Sequence, residues 1–161
     1  MLRLTKFLWR VFIITFILAV LGTLGSPWLL ILRNRLLYGL DISLSLELLS
    51  AIAFYLICGA SASFVLWQAA GVLKNLVNGE VFVLKNAQYV RRGSYACFII
   101  SAAACVRMIA HIAEYDSWLQ LLLEYNTLFI PVFIIAGLLC LVVSSLFKSA
   151  ALLKQDNDLV I

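Results

Sequence analysis

Arg107, His111 and Glu114 are the residues of this chain whose types and spacing could do chemistry together. Residues three and four apart share one face of a helix, so the three would form a polar stripe, with Tyr115 and Asp116 beside it. Two readings fit the stripe. In one it binds an anionic ligand or relays protons, because an imidazole such as His111 titrates near neutral pH. In the other Arg107 reaches outward along its aliphatic stem, pairs with Glu114 or Asp116, and marks the edge of an apolar layer. Arg107 falls about 14 residues after Gly93, or ~20 Å along a helix, deep inside an apolar run. An unpaired arginine there would be costly, so either reading must give it a partner or a way out.

Other catalytic patterns are missing. There is no H-E-x-x-H, no glycine-rich phosphate loop and no G-x-S-x-G. The cysteines Cys58, Cys97, Cys105 and Cys140 form no C-x-x-C pair and read as small buried apolar groups. With one histidine and no carboxylate deep in any apolar run, no metal site, cofactor site or catalytic residue is expected. The chain reads as non-enzymatic.

The elements that would position the stripe are four long apolar runs, roughly Phe7–Leu32, Leu48–Leu73, Ser94–Ala113 and Leu128–Leu153. Each approaches or exceeds the ~20 residues a helix needs to cross ~30 Å of hydrocarbon. Backbone amides must pair internally in lipid, so the runs become helices. Of 161 residues 65% are hydrophobic and 12% charged, too oily for a small chain to bury without lipid. The expected fold is all-α, one integral membrane bundle of four transmembrane helices over residues 1–161. Its helices fall at about 7–32, 48–73, 94–113 and 128–153, with a loop at 74–93 and a tail at 154–161.

Basic residues set the orientation. Arg3, Lys6, Arg10, Lys74, Lys85, Arg91, Arg92, Lys148 and Lys154 fall on one side, while the segment after the third run carries Glu114, Asp116 and Glu124 without a basic residue. Both termini, the middle loop and the tail therefore read as cytoplasmic; Arg33 and Arg35 dissent. The net charge of +4 meets lipid headgroups at helix ends and makes no nucleic-acid footprint. Pro27, after Gly22 and Gly25, is expected to kink or end the first helix early, leaving Trp28 at the outer interface.

Two cytoplasmic segments stand out. Asn78-Gly79 is a turn signal, after which Val81, Phe82 and Leu84 would rest on the membrane while Lys85, Arg91 and Arg92 reach phosphates. A helix restarting there would run through Tyr89 into the third span. The tail ends polar and acidic, then apolar, which suits capture in a partner's groove or as an added strand. Gly59 and Ser63 form a small-x-x-x-small pair that lets helices approach, within the bundle or in a homo-oligomer.

The loop carries Gly79, Phe82, Asn86 and Arg91-Arg92-Gly93 as G-x-x-F-x-x-x-N-x-x-x-x-R-R-G, and the tail reads Leu152 to Ile161 with Asp156, Asn157, Asp158 and Leu159. Both resemble the bacterial YoaS-like membrane proteins, domain of unknown function 2975, whose tail has the form L-K-x-E-N-D-L-T-[VI]. Asp156 stands in place of Glu and Val160 in place of Thr; Arg107 and His111 fall outside the pattern. The resemblance implies four spanning helices, no known activity or cofactor, and a soluble helix-turn-helix regulator as partner. The expected function is thus a regulatory or interaction protein of the bacterial cytoplasmic membrane. The alternatives are a small-molecule transporter or sensor using the Arg107 stripe, and a membrane subunit or scaffold of a larger complex. In the motif, Asn86 as a helix cap, Phe82 as a hydrophobic staple and Asp158 paired with Arg91 or Arg92 would be structural roles.

Overall fold

A computed structural model describes residues 2–38, 46–111 and 125–158. Four helices make up almost all of it: α1 (Leu2–Tyr38), α2 (Leu46–Val77), α3 (Leu84–His111) and α4 (Tyr125–Asp158). Each contains a stretch long and apolar enough to cross a membrane. Leu18, Leu21, Leu24, Val106, Ile109, Val142 and Leu146 are among the many large apolar side chains exposed on their surfaces. Such a surface belongs to a multi-pass membrane protein, because only lipid tails solvate it without cost.

The helices outrun the apolar segments that announce them. α3 begins at Leu84, so the expected loop at 74–93 contracts to residues 78–83. α4 continues through the expected tail to Asp158. Polar residues at a helix end do not stop a helix unless a turn residue follows; Gly79 supplies one after α2, and nothing comparable interrupts Leu153–Asp158.

Pro27 does not end α1, which runs through it to Tyr38. Proline lacks the N–H that would bond the carbonyl four residues back, here that of Thr23. The Ser26 hydroxyl donates to the Thr23 carbonyl instead, at 2.8 Å. A side chain thus repairs the gap, as lipid-embedded backbone requires.

Packing runs in series. α1 packs on α2, α2 on α3, and α3 on α4, each pair antiparallel. One close glycine contact marks each seam. A Cβ on Gly59 would collide with the Thr23 side chain of α1; one on Gly71 would lie 3.0 Å from the Tyr89 ring of α3; one on Gly137 would lie 2.8 Å from the Phe98 ring of α3. Gly59 therefore acts as its small-x-x-x-small spacing suggests, within the chain. α3 carries the deepest seam, with Ser94, Cys97, Ser101 and Ala104 buried along one face beside Ala96 and Ile100. Two α3–α4 hydrogen bonds fix that register: Ser101 Oγ donates to the Ile130 carbonyl at 3.2 Å, and Ser144 Oγ to the Ala87 carbonyl at 2.8 Å.

Candidate functional site

The antiparallel order gathers Arg3, Lys6, Arg10, Lys74, Lys85, Arg91, Arg92, Lys148 and Lys154 at the end of the molecule that holds the α2–α3 turn. That turn is built by its own residues. The Gly79 N–H donates to the Leu76 carbonyl at 3.1 Å and the Glu80 N–H to the Asn75 carbonyl at 2.9 Å. These two bonds close α2 as a Schellman cap, with Gly79 left-handed at φ +83°.

Asn86 holds the far side and is 0% exposed. Its Nδ2 donates to the carbonyls of Glu80 at 3.0 Å and Val81 at 2.9 Å, and its Oδ1 accepts from Asn75 Nδ2 at 2.7 Å. Asn86 lies in the first turn of α3 but does not cap it. Its amide binds the preceding loop instead, tying α2, the turn and α3 together. Asn75 is the partner that sequence reasoning missed, and a second buried amide eleven residues before the first was its only signal.

Phe82 is 49% exposed, next to exposed Val81 and Leu84, so the turn presents an apolar cap with Lys85 beside it. Arg91 turns to its own helix, where its Nε donates to Tyr95 Oη at 2.9 Å. Gly93 is buried, yet a Cβ there would meet nothing within 4 Å. Asp156 and Asn157 are exposed on α4, Asp158 ends the helix with its side chain outside the described residues, and Leu159 lies outside them altogether. Ala151, 2% exposed, is the last buried residue of α4. Beyond it residues 152–157 are all exposed, so the end of α4 runs about 10 Å past its last buried contact among the described residues. Its form is helical through Asp158.

Arg107 lies at the opposite end. Its guanidinium sits over the Phe54 ring, 5.1 Å from the centroid, and its Nε and Nη1 are buried with no hydrogen-bond partner among the described residues. Thr23 opposite Gly59 places Trp28 of α1 at the level of Phe54 and hence of Arg107, since each is five residues further toward that end. Trp28 is largely exposed. His111 ends α3 with its side chain outside the described residues, and Glu114, Tyr115 and Asp116 lie outside them. The stripe is thus described only at Arg107, which rests on the Phe54 ring at the level of Trp28.

A cavity of about 360 Å³ lies beside Phe54, walled by Cys58, Ile100, Phe129 and Phe133. Its exposed lining is almost wholly apolar, although Thr23, Ser26 and Tyr55 also contribute to the wall. A second, open groove of about 710 Å³ lies between α2 and α3 near the basic end, lined by Phe64, Trp67, Gln68, Arg92 and Tyr95. Gln68 went unnoticed in the sequence, although it is the one amide within the second apolar run.

The family described as a protein of unknown function, DUF2975, matches residues 8–161, including both the Asn86 turn and the α4 end. The chain belongs to this family. The match spans all four helices, so the DUF2975 unit and the described fold coincide. No curated protein and no solved structure matches the chain.

Proposed function

We propose that this DUF2975 protein is a non-enzymatic docking platform of the bacterial cytoplasmic membrane, with its basic end facing the cytoplasm and engaging a soluble partner. The free end of α4 carries the reading. Leu152 and Leu153 are exposed there, followed by Lys154, Gln155 and Asp156. A helix end that leaves its own fold with apolar residues uncovered suits a groove on another protein. Beside it the turn is rigid, fixed by Asn75 and Asn86, and offers Phe82 and Lys85. The partner that the family resemblance implies is a helix-turn-helix regulator, held at or released from the membrane.

The experiment is affinity isolation of the full chain from native membranes, against the variant Leu152→Lys/Leu153→Lys. A helix-turn-helix protein should accompany the full chain and disappear with the variant, while both remain in the membrane. Equal recovery with both proteins would overturn the proposal.

A further inference from the structure

Gln68 is a buried amide without a partner for its carbonyl. It is 4% exposed, and its Oε1 makes no hydrogen bond among the described residues. It lines the open groove between α2 and α3, together with Arg92, Tyr95 and Trp67. The pairing of Gly71 with Tyr89 puts Gln68 and Arg92 at one level, each three residues from its partner in that contact. Deeper along the same groove the walls are Phe64, Ile99, Ala60 and Ser61. The groove therefore joins a cation and an orphaned acceptor at its basic end to an apolar trough that continues into the membrane.

We propose that this groove is a specific site for one anionic glycerophospholipid whose headgroup carries a free hydroxyl. Each part of the ligand answers a feature of the wall. The Arg92 guanidinium takes the phosphate, the geometry for which arginine is best suited. The oxygens of an ionised phosphodiester carry no proton and cannot donate, so Gln68 Oε1 requires a donor from elsewhere in the headgroup. A hydroxyl supplies it without charge. An ammonium headgroup would bring a third cation beside Arg92 and Arg91, which like-charge repulsion disfavours. One acyl chain lies in the trough against Phe64 and Ile99, with the exposed rings of Trp67 and Tyr95 beside it. Leaving Gln68 Oε1 buried without a donor costs the desolvation of its carbonyl, and a bound hydroxyl removes that cost.

Trp67 reports on the groove. The full chain, with Trp9, Trp28 and Trp118 replaced by Phe, is reconstituted into phosphatidylcholine vesicles. A minor fraction of the lipid carries brominated chains on phosphatidylglycerol, phosphatidylethanolamine or phosphatidylcholine. Brominated phosphatidylglycerol should quench Trp67 well beyond the other two. Arg92→Gln should lower its apparent affinity about tenfold, the loss expected for one charge-assisted hydrogen bond. Gln68→Leu, which cannot leave a bare amide and so should fold at least as well, should lower the apparent affinity for brominated phosphatidylglycerol to that for brominated phosphatidylmethanol, an anionic diester with no headgroup hydroxyl that the unaltered chain should bind less tightly. Ser61→Phe, which fills the trough, should remove selective quenching altogether. Equal quenching by all headgroups would overturn the proposal. So would protection of Trp67 from every brominated lipid, which would mean that a second copy covers the groove. Relief of quenching by soluble glycerol phosphate would show a site for the free anion and overturn the lipid assignment.

Discussion

Asn86 does the work of several residues. Four groups depend on it: its own amide, the carbonyls of Glu80 and Val81, and the Asn75 amide. Asn86→Ala leaves three of them unpaired, the Asn75 amide buried and the two carbonyls within reach of water, and should cost about 2 kcal/mol, since each orphaned group costs ~1–3 kcal/mol less what water recovers. Asn75→Ala should cost less, because the two Asn86 bonds to the turn survive it. The double variant should be no worse than Asn86→Ala alone, as coupled sites are not additive. Thermal inactivation in detergent, followed by size exclusion, checks the order; additive losses would deny that the two amides form one unit. Gly79 offers a cleaner backbone test. A Cβ there meets nothing within 4 Å, so Gly79→Ala should cost only the left-handed backbone penalty of ~1–2 kcal/mol. Gly79→Asn should recover part of it.

At the scale of the helices, α1 depends on one seam. Thr23 cannot swing away from an enlarged Gly59, because its hydroxyl donates to the Ala19 carbonyl at 2.7 Å. Gly59→Ala should therefore push α1 from α2 and destabilise the pair by about 1–3 kcal/mol. Thr23→Gly in the same chain should restore it, and thermal stability of the single and double variants decides; no rescue would place the strain elsewhere. This contact also shows what the sequence discloses. The four spans, the Asn78-Gly79 turn and the close approach at Gly59 are local signals of length, turn chemistry and residue size, and they are legible. Which helix Gly59 meets is not. Helices apolar on every side lack the amphipathic stripe that would tell one face from another, so serial packing cannot be read from periodicity. The Ser26 repair at Pro27 and the Asn75–Asn86 pair depend on relations across a turn of helix or a loop. Gln68 is visible as a polar residue in an oily run, but its isolation appears only once its neighbours are in place.

Across the whole molecule the charges and indoles agree on a frame. Trp9 and Trp28 of α1 are 19 residues apart, about 28 Å along the helix, close to the thickness of a hydrocarbon core. Nine of the twelve basic residues gather at the Trp9 end, and only Arg33, Arg35 and Arg107 lie toward the other. A cytoplasmic leaflet rich in anionic lipid holds the more basic end, so both termini should face the cytoplasm. A phosphatase that folds only outside that compartment, fused after Ile161, should be inactive, while the same enzyme inserted within residues 39–45 should be active. The bias comes from many residues, so no single basic substitution should reverse it. Neutralising Arg3, Lys6 and Arg10 together leaves Lys74, Lys85, Arg91, Arg92, Lys148 and Lys154 to hold the orientation. An active phosphatase after Ile161 in the unaltered chain would invert the frame. The α4 end, the Asn86 turn and the Gln68 groove would then face away from soluble cytoplasmic proteins, and the docking proposal would fall with the orientation.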